Sequence, residues 1–126
     1  MKQEIRIDDA AAPGGAYSQG IVANGFVYTA GFGPQDPATG VVRGETVAEQ
    51  TRSVLSNISA VLAAHGLDLS DVVKATVHLS DLDRDFADFN KVYAEHFSTP
   101  YPVRTTVGST LANILVEIDV VAAVRT

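Results

Sequence analysis

The spacing of apolar positions along the chain predicts a first amphipathic helix in its middle. It begins at Thr46, three residues before Glu49, which is the arrangement of a capping box, and it ends near Gly66. The apolar positions between these ends fall on one face at helical spacing. We expect the polar positions, including Gln50 and Asn57, to form the opposite, solvent-facing side.

A second amphipathic helix is predicted to begin at Asp81 or Asp83. Prolines at positions 100 and 102 end it and lead the chain into an extended segment. Aromatic side chains dominate its apolar face at helical spacing, and we interpret them as core residues. This predicted buried stripe consists of Phe86, Phe89, Tyr93 and Phe97.

Alternating and β-branched segments predict the strands. The clearest signal is Asn24-Gly25 between two apolar runs, a sequence typical of a tight hairpin. The predicted strands cover residues 2–8, 21–23, 26–30, 72–79, 102–107 and 115–121. The order of strand, hairpin, helix, strand, helix, strand and strand predicts an α+β fold of two layers. We expect a mixed sheet of about six strands with both helices on one face.

A chain of 126 residues without a repeat or internal linker predicts a single domain over residues 1–126. Two helices on one face leave the other face of the sheet uncovered. If that face is apolar, another subunit must cover it, so the pattern favours an oligomer. The residues expected on this uncovered face are Val27, Ala30, Val116, Ile118 and Val120.

Composition excludes several classes of protein. Apolar residues make up 46% and charged residues 19% of the chain, which is typical of a soluble globular protein. No apolar run approaches the length of a membrane span, and the N-terminus has no signal-peptide pattern, so we expect a cytoplasmic protein that does not bind membranes. A net charge of −6 with scattered basic residues argues against nucleic-acid binding.

No cofactor or metal site is legible in the sequence. Cysteine is absent, which removes thiolate chemistry and cysteine metal sites. The histidines His65, His78 and His96 stand apart from one another. The glycines Gly31 and Gly33 lack the Lys-Ser/Thr pair of a phosphate-binding loop. We therefore expect neither a metal nor a bound cofactor.

Two full charges lie within apolar, β-branched segments, Arg104 in one and Glu117 in the next. A buried guanidinium needs an anionic partner, which is either a protein carboxylate or the carboxylate of a ligand. On the residues alone, a structural Arg104–Glu117 pair at a sheet end or at a subunit interface is the preferred interpretation. Tyr17, Thr106 and Asn90 are the other polar side chains in apolar settings.

Several motifs together resemble those of the Rid/YjgF family of reactive-intermediate (imine and enamine) deaminases over nearly the whole chain. The motifs are Gly15-Ala16-Tyr17-Ser18-Gln19-Gly20, Tyr28-Thr29-Ala30-Gly31, Pro34-x-x-Pro37-x-Thr39-Gly40, Phe89-Asn90-x-x-Tyr93, Pro102-x-Arg104 and Val116-Glu117-Ile118. The resemblance implies the chorismate mutase-like fold of that family and a homotrimer with three active sites in the clefts between subunits. It also implies cofactor-free hydrolysis of 2-imino acids and their enamine tautomers to 2-oxo acids and ammonia.

The same resemblance implies roles for individual residues. Arg104 would bind the substrate carboxylate, assisted by the backbone N–H of Gly31. Glu117 would orient and deprotonate the attacking water. Tyr17 would close one wall and bond the substrate or the leaving nitrogen, and Asn90 would hold the pocket loop. These roles make Arg104 a ligand clamp rather than half of a structural pair.

The chain also departs from the family pattern. Ala30, Phe32 and Thr106 stand where many deaminating members have serine, glutamine and cysteine, and Ala112 replaces a common proline. Thr106 can still bond a water and is kept among the expected catalytic residues, whereas Ala30 cannot bond a carboxylate. These departures predict a narrower or different substrate range. They also leave an alternative open, a non-catalytic trimeric module that binds small carboxylic acids.

Overall fold

The Asn24-Gly25 turn forms as its sequence predicts. Both residues have positive φ angles, 52° and 84°, and they close an antiparallel hairpin between β2 (Gly20–Ala23) and β3 (Phe26–Thr29). The computed structural model describes all residues from 1 to 126. The hairpin forms one side of the sheet and leads into the loop that carries Gly31.

The first strand, β1 (Gln3–Ile5), pairs antiparallel with β2 but is shorter than the predicted 2–8. The reason is a buried amide. The side chain of Gln19 accepts a hydrogen bond from the Ile7 N–H at 2.7 Å and donates one to the Ile7 carbonyl at 3.1 Å. Because both backbone groups of Ile7 are bonded in this way, the strand stops before that residue.

Both helices begin where the sequence predicts. In α1 (Val47–Ala63), the Thr46 hydroxyl accepts from the Glu49 N–H at 3.2 Å and the Glu49 carboxylate accepts from the Thr46 N–H at 3.1 Å, which completes the capping box. In α2 (Leu82–His96), Asp81 caps the first turn. Neither helix has the length and apolarity that a membrane crossing requires.

The remaining strands are β4 (Val72–Leu79), β5 (Val103–Gly108) and β6 (Val116–Ala123). The sheet has the order β1-β2-β3-β6-β4-β5, and β5 lies at one edge. Only β4 and β5 are parallel, with α2 as their crossover, and the other pairs are antiparallel. The two helices pack on one face of this mixed sheet. The predicted two-layer α+β fold is therefore confirmed.

The structure assigns residues to the two faces of the sheet differently from the prediction. Val27, Val116, Ile118 and Val120 are fully buried in the core under the helices, so their expected place on an uncovered face is wrong. Burial of the most apolar set of alternating residues releases the most free energy, and the helices provide that burial. Ala30 lies just beyond β3 and is half-buried. On β4 and β6 the uncovered face carries Lys74, Thr76, His78, Glu117, Asp119 and Val121.

Three helix positions also differ in burial from the prediction. Gln50 and Asn57, expected on the solvent side of α1, are only 5% and 2% exposed. Phe86, expected in the core, is 39% exposed and lies against the guanidinium of Arg104 on the edge strand β5. Val73 is exposed because the pairing of β4 with β6 shifts register at that residue.

The capping box gives a first test of the fold. We expect Thr46→Ala to lower the free energy of unfolding by about 1 kcal/mol, because it leaves an N-terminal N–H of α1 without its acceptor. The measurement is urea denaturation at neutral pH. Ser56→Ala, which removes an exposed hydroxyl from the middle of the same helix, should be neutral or slightly stabilising. Equal effects of the two changes would contradict a specific capping role.

Candidate functional site

Five of the six predicted site residues line two separate depressions of the protein surface, and Thr106 lines neither. The larger has a volume of about 520 Å³ and is lined by Tyr17, Gly31 and Glu117 among others; we refer to it as the Glu117 cleft. The smaller has a volume of about 380 Å³ and is lined by Asn90, Arg104 and four further residues; we refer to it as the Arg104 cavity. One chain therefore does not bring all the predicted residues together.

Glu117 lies on the uncovered face of β6, and its half-buried carboxylate rests against the backbone of Gly31. A β-carbon on residue 31 would lie 2.8 Å from Glu117 Oε2, so a residue with a side chain does not fit there without displacing the carboxylate. None of the ion pairs in the chain involves Glu117. Its carboxylate therefore remains free to accept a proton or a hydrogen bond.

Two hydrogen-bond donors lie in the same cleft. The phenol oxygen of Tyr17 accepts from the Gly14 N–H at 2.9 Å, which leaves its own proton free to donate. The N–H of Gly31 makes no backbone hydrogen bond, whereas those of Ala30 and Phe32 on either side do. The Glu117 cleft thus combines one free carboxylate with a free O–H and a free N–H.

The walls of the Glu117 cleft are joined by a buried amide that sequence reasoning placed in solvent. The Asn57 side chain accepts from the Ala11 N–H at 3.0 Å and donates to the carbonyls of Gly33 and Gln35 at 3.1 and 3.0 Å. All three partners belong to residues that line the cleft. Asn57 therefore connects two loops that are 22 residues or more apart in sequence.

Two other amides hold neighbouring loops in the same way. Gln19 is buried and donates to the carbonyls of Ile7, Ala10 and Ala11, at 3.1, 3.3 and 3.0 Å, which fixes the segment before Tyr17. Gln50 accepts from the Leu115 N–H at 2.8 Å and donates to the Gly44 carbonyl at 3.1 Å. The sequence does contain a signal that Gln50 and Asn57 are buried, and that signal is their spacing. Positions 47, 50, 54, 57 and 61 form one continuous stripe along the helix.

Arg104 lies on the edge strand β5, with its guanidinium against aromatic rings of α2. The guanidinium carbon is 4.6 Å from the ring centroid of Tyr93, 5.4 Å from that of Phe89 and 5.8 Å from that of Phe86. No carboxylate forms an ion pair with it. Cation–π contacts hold the charge in place without occupying its N–H donors, so these stay available to an anion.

The other polar groups around the Arg104 cavity also lack partners. Thr106 lies two residues beyond Arg104 on the same face of β5, and its buried hydroxyl makes no hydrogen bond. The buried hydroxyl of Tyr93 is unpaired as well, and burial raises the pKa of Tyr93 although the nearby Arg104 charge lowers it. Asn90 is half-buried and lines the cavity.

Strand order and register place Arg104 and Glu117 on opposite faces of the sheet. Arg104 pairs with Ala75, which is buried under the helices, whereas Glu117 pairs with His78 on the uncovered face. β4 lies between the two strands, which separates them by about 10 Å. The structural Arg104–Glu117 pair preferred from the residues alone is therefore wrong for a single chain. Gly31 likewise lies beside Glu117 and not beside Arg104.

The uncovered face near Glu117 carries further titratable groups. Burial raises the pKa of Asp119, and the nearby charges of His78 and Lys74 oppose that rise. The Nδ1 atom of His78 lies 2.7 Å from the Ser109 hydroxyl oxygen. No three histidine, aspartate or glutamate side chains converge closely enough to hold a metal ion.

Comparison with known proteins finds relatives that match this chain over almost its whole length. Residues 7–124 match the family model described as Endoribonuclease L-PSP. The chain is 45% identical over 125 residues to a RutC family protein of Pyrococcus horikoshii, covering 97% of this chain and 98% of the relative. It is 40% identical over 123 residues to the chloroplastic Reactive Intermediate Deaminase A of Arabidopsis thaliana, covering 96% of this chain and 65% of the relative.

Solved structures agree with these sequence matches. The crystal structure of RidA from an Antarctic Psychrobacter bacterium superposes with a TM-score of 0.91 at 37% identity, covering 97% of this chain and 99% of that chain. A TM-score of this size over almost the entire chain means that strand order and helix placement are shared. The similarity therefore extends to the framework that carries both the Glu117 cleft and the Arg104 cavity.

The buried amide gives the second test. We expect Asn57→Ala to lower the free energy of unfolding by about 2–4 kcal/mol, because it strips partners from one N–H and two carbonyls that are largely shielded from water. Urea denaturation measures this change. Asn57→Asp should be at least as destabilising, since it places a carboxylate against two carbonyl oxygens.

The control for this test is Ser59→Ala, a polar side chain on the same helix with no hydrogen bond to the cleft, which should leave stability nearly unchanged. If Asn57→Ala unfolds at the wild-type urea concentration, Asn57 does not join the cleft walls in solution.

Proposed function

Because the chain belongs to the Rid/YjgF family, whose family model is described as Endoribonuclease L-PSP, we propose that it is a cofactor-independent deaminase. Its substrates are reactive 2-imino acids and their enamine tautomers, and its products are 2-oxo acids and ammonia. Support comes from the relative in Arabidopsis thaliana named Reactive Intermediate Deaminase A. The observation that carries the proposal is the guanidinium of Arg104, held on three aromatic rings with no protein carboxylate beside it.

Arg104 is the group that recognises the substrate. A 2-imino acid carries one carboxylate next to its reactive carbon, and a guanidinium binds a carboxylate through two parallel hydrogen bonds. The aromatic rings keep the guanidinium partly out of water, which strengthens its attraction for an anion. The reactive C2 atom is then fixed relative to Arg104 by a single carbon–carbon bond.

Glu117 is the group that acts on water. Water adds to C2 of the imine while Glu117 accepts a proton from it, and the resulting carbinolamine holds both oxygen and nitrogen on C2. Glu117 passes that proton to nitrogen and then passes the remaining hydroxyl proton to nitrogen as well, so that the C–N bond breaks as the C2=O bond forms and ammonia leaves the 2-oxo acid. One positioned base accelerates such a step by about 10²–10⁴-fold, which suffices for an electrophile that hydrolyses unaided. Tyr17 and the Gly31 N–H supply donors to the substrate.

The two halves of this site come from neighbouring chains in the proposed assembly, a homotrimer. Arg104 and Glu117 of one chain face opposite sides of its sheet and cannot hold the same small substrate. The Arg104 edge strand also exposes apolar side chains, including Val103, which is 67% exposed, and Val107. A neighbouring chain that covers this edge and brings its own Glu117 cleft to Arg104 completes each site.

A binding module for small carboxylic acids is the second candidate, and the position of Thr106 favours it. Thr106 lies two residues beyond Arg104 on the same face of β5, where many deaminating family members have cysteine. Ala30 also offers no side-chain donor. Release of 2-oxo acid from an imine generated in situ by an amino-acid oxidase separates the two candidates. RNA cleavage is not proposed, because a chain with net charge −6 repels phosphates.

The clamp role of Arg104 is the third test. We expect Arg104→Ala to lower kcat/KM about 30-fold or more, because about 2–5 kcal/mol is lost when a charge-assisted contact to a buried carboxylate is removed. Arg104→Lys should recover only part of this loss, since it keeps the charge but not the planar fork. The melting temperature should change little, because Arg104 has no acidic partner within the chain.

Arg52→Ala is the matched control, because Arg52 is an exposed arginine with a single 3.8 Å pair to Glu95. It should leave kcat/KM and melting temperature unchanged. An Arg104→Ala protein with wild-type deaminase activity would rule out the clamp.

The proposal that each site is built from two neighbouring chains gives the fourth test. Arg104→Ala and Glu117→Gln should each be nearly inactive alone, yet chains of the two kinds refolded together in equal amounts should regain activity. In trimers that assemble at random from equal amounts of the two variants, about a quarter of the sites combine a wild-type Arg104 with a wild-type Glu117 from the neighbouring chain. If mixing restores nothing while mixed oligomers are present, each site is built from one chain and the proposed assembly is wrong.

A further inference from the structure

Only two buried side-chain polar atoms in the protein lack a hydrogen-bond partner, the hydroxyls of Tyr93 and Thr106. They lie on α2 and β5, the two elements that form the walls of the Arg104 cavity. Buried hydroxyls are nearly always paired in proteins, because an unpaired one loses its bond to water and gains nothing in return. Of the two, Tyr93 lines the cavity together with the unpaired guanidinium of Arg104, and this combination indicates a ligand that supplies acceptors.

The Tyr93 hydroxyl is not needed for packing. Tyr93 lies in an aromatic stack, with ring centroids 5.6 Å from Phe89 and 4.3 Å from Phe97. Its neighbours in that stack are phenylalanines, so an apolar ring fills this layer of the core equally well. Tyr93 is only 4% exposed and yet carries an oxygen that no protein group bonds. The hydroxyl is a structural liability unless something binds it.

The ring of Tyr93 is also the one closest to the Arg104 guanidinium, at 4.6 Å, and both side chains line the same cavity. Burial raises the pKa of Tyr93, so its hydroxyl keeps its proton across the physiological range and can only be a donor to an anion. The cavity is therefore lined by the side chains of Arg104 and Tyr93, with no carboxylate among its lining residues.

We propose that Tyr93 is a second anion-binding residue of the Arg104 cavity, donating its hydroxyl proton to the carboxylate that Arg104 holds. The inference rests on the proposed carboxylate clamp and adds a residue to it. The phenol fixes the rotation of the carboxylate about its bond to C2, which a guanidinium on the far side leaves less constrained. Tyr93 thereby sets the direction in which C2 faces the partner chain's half of the site.

The test compares binding and stability in Tyr93→Phe, which keeps the ring and removes only the hydroxyl. The probe is 2-oxobutanoate, a stable 2-oxo acid that is not turned over, titrated by calorimetry into the oligomeric protein. We expect its Kd to rise about tenfold, as for loss of a hydrogen bond to a charged acceptor, while the melting temperature without ligand stays the same or rises. Tyr28→Phe, a matched change on the uncovered face, should alter neither quantity.

A spectroscopic measurement covers the case in which stability changes too. The Cζ carbon of Tyr93, labelled with ¹³C and assigned by its loss in Tyr93→Phe, should shift when 2-oxobutanoate is added to wild type. An unchanged Kd in Tyr93→Phe, or a Tyr93 signal that ignores the ligand, would overturn the inference.

Arg104→Ala keeps this failure distinct from failure of the proposed function. If Arg104→Ala weakens 2-oxobutanoate binding and Tyr93→Phe does not, the clamp stands and the role of Tyr93 is wrong. If wild type binds 2-oxobutanoate with dependence on both residues but hydrolyses no imine, the role of Tyr93 stands and the deaminase proposal is wrong. If wild type does not bind 2-oxobutanoate, the Arg104 clamp and the role of Tyr93 are both wrong.

Discussion

The alternation of side chains along β6 is the constraint on which the rest of the structure depends. Successive residues of a strand point to opposite faces, so burial of Val116, Ile118 and Val120 under the helices forces Glu117 onto the uncovered face. A shift of one residue would place the carboxylates of Glu117 and Asp119 in the core and three aliphatic side chains in water. The position of the free carboxylate is therefore determined by the same free energy that forms the core.

The same constraint, carried across β4 to β5, gives Arg104 the opposite orientation. Pairing with Ala75 turns its side chain toward α2, where aromatic rings rather than an acid receive the guanidinium. Each chain thus carries an unpaired cation on one side of its sheet and an unpaired carboxylate on the other. Two charges that are each left without a partner, and are kept apart by the fold, are suited to act together only on a molecule placed between two chains.

Polar side chains inside the protein give this arrangement its precision. The amides of Gln19, Gln50 and Asn57 bond loop backbone groups that no strand or helix satisfies, and in doing so they hold the loops around the Glu117 cleft. Each amide is buried, so loss of its bonds leaves groups that water does not readily reach. Gly31 adds to this precision, because the space its missing side chain leaves is filled by the Glu117 carboxylate.

The sequence by itself determined the elements and the candidate site residues. Local signals suffice for these: the Asn24-Gly25 turn, the Thr46 capping box and the period of the apolar residues depend on neighbours within a few positions. The family motifs likewise identify Arg104 and Glu117 without a structure. The spacing that placed positions 50 and 57 on the buried stripe was also present, but the polarity of Gln50 and Asn57 argued for solvent. Their loop partners lie up to 65 residues away, so no pattern among neighbouring residues indicates these hydrogen bonds.

Only the tertiary structure decided which face of the sheet the helices cover and how β5 is registered against β4. These two facts depend on the packing of segments far apart in the chain, and they change an apparent Arg104–Glu117 pair into two separate halves. They also decided that Phe86 lies partly in solvent over a guanidinium and that the Tyr93 hydroxyl is buried without a partner. Periodicity places a residue on one side of its own helix or strand, but the energy of burial on that side is set by what packs against it.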